Sequence, residues 1–339
     1  MKVMITGSEG FICGYLVENL LSNGHSVVGV DNFSKYGEIR RSYANHPNYT
    51  FINGDVCNTK LLKEHLIDCD HLVASAAKIG GISYFHEYAY DLMAENERIM
   101  ASTFDAAIHA FKNNKLQKIT VLSSSMVYEN TTKYPTPEGE QLIAPPPFST
   151  YGFQKLAAEY FAKGAWEQYK LPFTIARPFN CIGIGEGRAL GDVEIKSGNV
   201  KLAMSHVVPD IIQKIIKGQN PLHILGDGQQ IRHYTYGGDL AEGIRLCIEH
   251  PNALNDDFNL STAVATTVVE LAEIIWDKIN PNEDFKYICD DPFTHDVQKR
   301  SPDVNKAKNI LGFEATTTLD NALDEIIPWV SKQVEKGLI

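Results

Sequence analysis

The sequence lacks the features that mark several protein classes. No two of its six cysteines have CxxC spacing, which disfavours a zinc site or a redox dithiol, and we expect no bound metal. No apolar run approaches the roughly 18 residues of a membrane span. No signal-peptide pattern precedes the first strand-like run, so we expect a cytoplasmic protein. The formal net charge of -11 disfavours nucleic acid and anionic lipid as partners, and any bound phosphate must be held by a local device.

Short β-branched runs alternate with amphipathic stretches in the first half of the 339-residue chain. This alternation predicts an α/β fold, a Rossmann-type doubly wound parallel sheet with right-handed crossovers. The predicted strands are 3–6, 26–31, 50–55, 71–76, 119–124 and 173–178. The predicted helices are 11–23, 59–66, 91–111 and 151–169.

Beyond residue 178 the pattern loosens. A Gly-rich polar run at 183–198 is followed by helical segments near 207–217 and 240–250. We expect the sheet domain to span residues 1–180, with a later return near 235–262. Residues 181–339 should form mainly a smaller C-terminal α/β lobe that binds the substrate.

A glycine-containing turn follows the first predicted strand and opens a helix. Gly7 permits a tight turn, and Gly10 lets the backbone approach a pyrophosphate. Free N–H groups at the start of the helix, around Phe11 and Ile12, favour the negative charge of the pyrophosphate. Cys13 stands where the usual pattern has its third glycine, and such turns also occur in ordinary strand-to-helix connections.

Asp31 ends the second predicted strand, about twenty residues beyond the turn. Its carboxylate can accept hydrogen bonds from a ribose diol and repel a 2′-phosphate, which favours NAD over NADP. Asn32 beside it and Ala76, at the end of the fourth predicted strand, are further expected cofactor contacts. The turn, the acidic residue and the alternating pattern together predict an NAD-binding domain.

Tyr151 and Lys155 are spaced one helical turn apart, on the same face of a predicted helix. A phenol with a pKa of about 10 is a poor base at neutral pH. A neighbouring ammonium and a positively charged nicotinamide favour its phenolate form. The serine run at 123–125, which ends the preceding strand, makes this spacing more specific and adds Ser124 as a catalytic candidate.

With these motifs in view, the chain resembles the extended short-chain dehydrogenases/reductases of the nucleotide-sugar epimerase and dehydratase group. The resemblance covers nearly the whole length and preserves the order of the motifs. Besides the glycine turn and the Tyr-Lys pair, the matching segments are SSMVY at 124–128, the adenine-contacting pair Asp55 and Val56, RPFN at 177–180, GDGQQIR at 226–232 and RSPD at 300–303.

The resemblance implies roles for the catalytic candidates. Ser124 would hydrogen-bond the sugar hydroxyl that Tyr151 deprotonates, while Lys155 would hold the nicotinamide ribose and lower the pKa of the phenol. Hydride would pass from the sugar carbon to NAD. Arginine side chains suit the diphosphate of the substrate because they bind phosphate through two parallel hydrogen bonds. The expected substrate contacts are Ser125, Asn180, His206, Arg232 and Arg300.

Two positions bear on the reaction that follows oxidation. Dehydratases of the group have an Asp-Glu pair where this chain has Ser125 and Met126, and the related decarboxylases need a Glu at the second of these places. The run AAKIGGI at 76–82 resembles a loop of GDP-fucose synthases and GDP-mannose 3,5-epimerases, but Met126 replaces their cysteine. His206 matches their second proton-transfer position and is either an acid/base or a pocket residue.

The remaining mechanism requires only Ser124, Tyr151, Lys155 and NAD. It oxidises C4, turns the 4-keto sugar in the pocket and returns hydride to the other face, so that NAD is regenerated and stays tightly bound. The sequence therefore predicts a nucleotide-sugar 4-epimerase. A 2-epimerase, a 3,5-epimerase, a dehydratase, a reductase and a non-catalytic NAD-binding regulator remain alternatives.

Two further expectations follow from the resemblance. The helices 91–111 and 151–169 form the usual dimer surface of the group, which implies a homodimer with a four-helix bundle.

His233 and the pair Gly237 and Gly238 depart from the pattern of the group, and the run at 183–198 is long. We expect these departures on the substrate side, where they would indicate an unusual sugar or nucleotide.

Overall fold

A computed structural model describes residues 1–39, 41–79, 88–113, 115–190, 195–202, 206–292 and 297–339. Its main sheet has seven parallel strands in the order β13-β6-β5-β4-β1-β2-β3. These strands are β1 (Lys2–Thr6), β2 (Ser26–Asp31), β3 (Tyr49–Asn53), β4 (His71–Ala74), β5 (Lys118–Leu122), β6 (Phe173–Pro178) and β13 (Asp256–Leu260). The predicted Rossmann-type parallel sheet is confirmed.

Helices cover both faces of this sheet, as in a doubly wound fold. The described helices are α1 (Phe11–Ser22), α2 (Thr59–His65), α3 (Ala89–Asn113), α4 (Thr150–Tyr169), α5 (Val207–Ile216), α6 (Gly237–Glu249), α7 (Val268–Ile279) and α8 (Leu319–Glu335). Apolar residues of α2, α3 and α4 pack on one face of the sheet, and those of α1 and α6 pack on the other. None of these helices combines the length and apolarity needed to cross a membrane.

A third apolar core joins α5, α7, α8 and β10 and forms the centre of the smaller lobe. Short strands pair here and at the junction with the main sheet: β7 (Cys181–Ile182) with β12 (Thr235–Tyr236), β8 (Ile195–Ser197) with β9 (Val200–Leu202), β10 (Leu222–Leu225) with β15 (Tyr287–Asp290), and β11 (Ile231–Arg232) with β14 (Thr266–Thr267). The strand β13 lies within the predicted return at 235–262 and extends the main sheet beside β6.

The carboxyl ends of the strands differ from the sequence-based boundaries. The strands predicted to reach residues 76 and 124 end at Ala74 and Leu122. In the first case, the backbone N–H groups of Ser75 and Ala76 donate to Thr6 Oγ1 instead of continuing the ladder. After the second, Ser124 caps a short 3₁₀ helix (Ser125–Tyr128). Both chain segments therefore leave the sheet where a ligand cavity opens.

Candidate active site

A cavity of about 590 Å³ follows the carboxyl ends of the main strands and continues into the smaller lobe. Such a crevice at the carboxyl edge is where ligands bind to open α/β sheets. Every predicted site residue lines it. These residues are Gly7, Gly10, Phe11, Ile12, Asp31, Asn32, Asp55, Val56, Ala76, Ser124, Ser125, Tyr151, Lys155, Asn180, His206, Arg232 and Arg300.

The glycine turn has the geometry of a phosphate cradle. Gly7 has a φ of +72°, and a Cβ atom there would lie 3.0 Å from Ala76 Cα. The N–H of Gly7 donates to Val30 O at 2.7 Å, which ties the turn to the end of β2. Gly10 precedes α1, whose first N–H groups face the cavity with the positive end of the helix dipole. The turn therefore fits the pyrophosphate of NAD.

Cys13 occupies the place of the third glycine without closing this cradle. Its thiol is 4% exposed and donates to Ser75 Oγ at 3.2 Å, just beyond β4. Burial raises the pKa of Cys13 to about 11, so the thiol is neutral at physiological pH. A small uncharged side chain therefore permits the close approach of helix and strand that the usual glycine provides.

Asp31 is positioned by backbone donors at the end of β2. Its Oδ2 accepts from the N–H of Glu9 at 3.0 Å, and its Oδ1 accepts from the N–H of Phe33 at 2.7 Å. A carboxylate has about four acceptor sites, so ribose hydroxyls can still be bound.

Arg41, which sequence reasoning missed because it lies in a loop without periodicity, donates to Gly10 O at 3.2 Å and to Glu9 O.

The adenine end of the cavity is formed by the segment after β3. Asp55 Oδ1 accepts from the N–H of Cys57 at 2.8 Å and so fixes a turn. This turn places Val56, which is buried, against the cavity wall. The geometry is compatible with the adenine contacts that the resemblance implies for the pair.

Tyr151 and Ser124 meet at the centre of the cavity. Tyr151 lies in the first turn of α4, which Ser149 caps by accepting from the N–H of Gly152 at 3.0 Å. Burial raises the pKa of Tyr151, and a hydrogen bond with Ser124 and the positive charges of Lys35 and Arg300 oppose this rise. Lys35 is a second missed residue, since no motif marks its loop.

Lys155 lies one turn along α4 and is buried. Its Nζ donates to Leu122 O at 3.0 Å and lies 5.9 Å from the centre of the Tyr151 ring. Burial lowers the pKa of Lys155 to about 8. The structure therefore brings phenol, serine hydroxyl and ammonium together as the sequence predicted.

The wall beside this centre carries no acid/base pair at the positions used by dehydratases. Ser125 and Met126 both line the cavity, and Met126 packs against Leu92 and Tyr151 in a small apolar cluster. A thioether cannot exchange a proton. This geometry agrees with the sequence-based argument against a standard dehydratase or decarboxylase.

Polar groups converge where the cavity enters the smaller lobe. An isolated bridge between Ile231 and Lys299 brings the segments of Arg232 and Arg300 side by side. Arg232 Nη1 donates to Ile231 O at 2.9 Å. The buried Nδ2 of Asn180 has no hydrogen-bond partner among the described residues, so it is available to an anionic ligand.

His206 precedes α5 and is hydrogen bonded through Nδ1 to the carboxylate of Glu186. Glu186 is buried, whereas about half of the His206 side chain is exposed toward the cavity. Sequence reasoning found the histidine but missed Glu186. The Gly-rich run at 183–198 gave no periodicity from which its contacts could be read, and residues 191–194 of the run lie outside the described part of the chain. Residues 80–82 of the AAKIGGI segment also lie outside the described part of the chain.

Of the departures that the sequence placed on the substrate side, the run at 183–198 contributes Glu186, Ala189 and Leu190 to the cavity lining, whereas His233, Gly237 and Gly238 do not line it. His233 is buried and hydrogen bonds to Thr262 O at 2.9 Å and to Ser301 Oγ at 3.2 Å. A Cβ at Gly237 would lie 2.5 Å from the Tyr15 ring, and one at Gly238 would lie 2.6 Å from Tyr236. For these three positions that interpretation was wrong, because they serve packing beneath the site.

Known proteins share both the sequence pattern and this fold. Residues 3–261 match the NAD dependent epimerase/dehydratase family. The putative UDP-glucose 4-epimerase of Methanocaldococcus jannaschii is 26% identical over 97% of this chain and 98% of that protein. The UDP-glucose 4-epimerase of Thermotoga maritima, solved with UDP-glucose, is 25% identical with a TM-score of 0.82 over 98% of this chain and all of that one.

A further solved structure, UDP-N-acetylglucosamine 4-epimerase from Methanobrevibacter ruminantium in complex with UDP-N-acetylmuramic acid, is 27% identical. Its TM-score is 0.81, and the match covers 98% of each chain. The family match spans far more than half of the sequence, and the cradle at Gly7 fits the cofactor of the family. The chain belongs to the NAD dependent epimerase/dehydratase family.

Proposed function

We propose that the protein is a nucleotide-sugar epimerase that inverts C4 of the sugar through a transient 4-keto intermediate. The observation that carries the proposal is that Tyr151, Ser124 and the buried Lys155 line one cavity, whose wall has Met126 where related enzymes need an acid. This set can remove and return one proton but has no second acid/base pair of the dehydratase type.

Each residue has one task in this mechanism. The N–H groups at the start of α1 bind the pyrophosphate of NAD, and Asp31 binds a ribose of the same cofactor. When bound, NAD supplies the oxidation and the reduction at C4. Tyr151 takes the proton of the C4 hydroxyl and later returns it, while Ser124 holds the same oxygen. Lys155 orients the cofactor ribose.

The diphosphate of the substrate is assigned to the mouth of the smaller lobe. Arg232 and Arg300 supply charge and paired donors, and the unpartnered amide of Asn180 supplies a further donor. Residues 1–180 with the return at 235–262 would then hold NAD, and 181–339 mainly the nucleotide-sugar. Because the similar enzymes named above act on UDP-glucose and UDP-N-acetylglucosamine, UDP-sugars are the first substrates to test.

A second candidate reaction is favoured by the pairing of Glu186 with His206. A carboxylate that holds Nδ1 of an imidazole leaves Nε2 to act as a base, and such a base could enolise the 4-keto sugar at C3 or C5. Inversion by enolisation also needs an acid on the opposite face, where this chain has Met126. We therefore assign His206 to substrate binding in the main proposal.

We also propose a homodimer. Exposed aromatic and apolar side chains line a groove along α3 and α4, among them Phe153 (42% exposed) and Tyr160 (58% exposed). Two such faces would bury each other as a four-helix bundle. The groove and the cavity share no lining residue among the described residues, so assembly and chemistry can be tested separately.

The test of the proposed function is proton NMR of the protein with NAD and UDP-, dTDP-, GDP- and CDP-sugars in deuterated water. A C4 epimer without solvent deuterium is expected, because the hydrogen at C4 never exchanges with water. Deuterium at C3 or C5 would instead support enolisation by His206. Absence of turnover across the panel would argue for the alternative of a non-catalytic NAD-binding protein.

A further inference from the structure

A buried ion-pair cluster lies directly behind the catalytic centre. Glu159 follows Tyr151 by eight residues and Lys155 by four, so it lies on the same face of α4. Its side chain is 0% exposed. Its Oε1 accepts from Arg177 Nε at 2.6 Å and its Oε2 from Arg177 Nη2 at 2.8 Å. Arg177, on β6, is fully buried as well.

The cluster reaches the catalytic serine from both sides. Before Ser124 in the chain, Ser123 Oγ donates to Glu159 Oε1 at 2.6 Å. After it, Arg177 Nη1 donates at 3.0 Å to the hydroxyl of Tyr128, which ends the 3₁₀ helix that Ser124 begins. The segment carrying Ser124 is therefore attached to α4, the helix of Tyr151, at two points. Ser123 bonds directly to Glu159, and Tyr128 is connected to Glu159 through Arg177 of β6.

The outer part of the cluster, formed by Asp256, Asp257 and Lys306, has no direct hydrogen bond or ion pair with the described residues 123–128. Asp257, on β13, forms an ion pair with Arg177 Nη2 at 2.6 Å and with Lys306 Nζ at 2.8 Å. Lys306 also pairs with Asp256 at 2.6 Å. These groups connect β6 to β13 and offer a control, because they belong to the same network but form no direct hydrogen bond with the described segment that carries Ser124.

Stability alone is a poor explanation for such a cluster. The desolvation of buried ions offsets most of their mutual attraction, and well-packed apolar residues usually stabilise such a place equally well. What ions and hydrogen bonds provide is direction, since each donor fixes both a distance and an angle. The cluster spans the two elements whose relative position decides whether the Tyr151 and Ser124 hydroxyls can share one substrate oxygen.

We propose that Glu159 and Arg177 are positioning residues that, through Ser123 and Tyr128, hold Ser124 in place beside Tyr151 in the cavity. The inference rests on the proposed epimerase function for its kinetic readout. It assigns to the arginine of the RPFN segment a role behind the site, and leaves the contact with substrate in that segment to Asn180.

Two conservative variants cut the link without removing an ion pair. Ser123→Ala removes the donor to Glu159, and Tyr128→Phe removes the hydroxyl that accepts from Arg177 and donates to Asn259 Oδ1. Each should lower kcat by about tenfold to a hundredfold with little change in KM, because misplacement by a fraction of an ångström impairs proton transfer more than binding. Ser123→Thr keeps the hydroxyl and should restore most of the rate.

Lys306→Met is the matched control. It removes two ion pairs from the outer part of the network and should lower the unfolding midpoint in urea while leaving kcat unchanged. Equal losses of kcat in Lys306→Met and Ser123→Ala would overturn the proposal, since they would show that the cluster acts only through general stability. Unchanged kcat in both Ser123→Ala and Tyr128→Phe would overturn it as well.

A direct readout separates this inference from the proposed reaction. The titration of Tyr151 can be followed by NMR of the NAD-bound protein with ¹³C-labelled tyrosine, using Tyr151→Phe to assign the signal. The hydrogen bond from Ser124 lowers the pKa of Tyr151, so Ser123→Ala should shift its titration to higher pH. A shift without any sugar turnover would support the positioning role and refute the epimerase. Sugar turnover together with an unshifted titration in Ser123→Ala would support the epimerase and refute the positioning role.

Discussion

At the scale of single residues, the buried environment of Tyr151 disfavours the phenolate, the form in which this side chain must act as a base. Burial raises the pKa of the phenol, and a hydrogen bond with Ser124 and the charges of Lys35 and Arg300 counter this effect. The positive charge of a bound nicotinamide adds to them. The phenolate should therefore form chiefly in the loaded enzyme, and turnover should fall as pH decreases because the base becomes protonated.

Tyr151→Phe removes the proton acceptor and keeps the ring. We expect kcat to fall by about 10²- to 10⁴-fold, the usual contribution of general acid-base catalysis, while NAD stays bound. The measurement combines steady-state turnover with the absorbance of cofactor released on denaturation. Tyr90→Phe, at a position 78% exposed, is the control and should behave like the wild type. Undiminished turnover in Tyr151→Phe would rule out the phenol as the base.

Two buried lysines allow function and stability to be separated. Burial lowers the pKa of Lys155 and of Lys118 to about 8 from 10.5. Between pH 8 and pH 10.5 each lysine binds more protons in the unfolded chain than in the folded one. Each lysine therefore makes the free energy of unfolding rise with pH over this range. In Lys155→Met or Lys118→Met, this rise between pH 8 and pH 10 should be smaller by roughly 2 kcal/mol.

Urea unfolding at several pH values measures this difference. Only Lys155→Met should also lose turnover, because Lys118 donates to Cys247 O on the far side of the sheet. Identical pH dependence of stability in the wild type and both variants would contradict the assigned burial of the ammonium groups. Loss of turnover in Lys118→Met would contradict the assignment of the site.

At the scale of elements, we expect the turn between β1 and α1 to determine cofactor binding. Gly7 and Gly24 both have positive φ values, +72° and +79°, and both would be strained by a side chain. Only at Gly7 does a Cβ meet another atom, since nothing lies within 4 Å of the one built at Gly24. The two glycines therefore share the backbone strain of a positive φ, whereas the contact with Ala76 and the position in the turn at the cavity belong to Gly7.

Gly7→Ala should weaken NAD binding at least tenfold, because relieving the contact with Ala76 moves the backbone that faces the pyrophosphate. Gly24→Ala should lower stability by about 1–2 kcal/mol and leave NAD affinity unchanged. Titration calorimetry with NAD and urea unfolding provide the two measurements. Equal NAD affinity in both variants would show that the turn does not bind the cofactor.

Periodicity predicted these elements well where burial alone shapes them. The strand Ser26–Asp31 was predicted to the residue, and the central helices to within one or two residues. The ends of β4 and β5 were not, because the side chains of Thr6 and Ser124 redirect the backbone there. The sequence also did not show whether a side chain in or beside a motif faces the cavity or the core. Arg177 and His233 are examples, since both are buried and neither lines the cavity.

At the scale of the whole molecule, the cavity spans two lobes, while the apolar groove is lined by other residues of α3 and α4. Motif order in the sequence predicted which residues meet in the cavity, since parallel strands place their carboxyl ends together. It did not reveal Lys35, Arg41 or Glu186, which lie on loops whose course depends on tertiary contacts.

The homodimer predicts a response to charge in the groove. Ala157→Glu would place a carboxylate among the aromatic side chains of α3 and α4 and should convert the dimer to a monomer. Lys332→Glu, on an exposed face of α8, is the control and should stay dimeric. Analytical ultracentrifugation distinguishes these outcomes, and a wild-type monomer at micromolar concentration would contradict the proposed assembly.

In the proposed reaction, the hydrogen removed from C4 returns to C4 without exchanging with water. This retention can be tested with UDP-glucose that carries deuterium at C4, incubated with the NAD-loaded protein in ordinary water and examined by NMR and mass spectrometry. We expect a C4 epimer that retains the deuterium at C4. An epimer that has lost this label, or a product changed at another carbon, would contradict the proposed reaction.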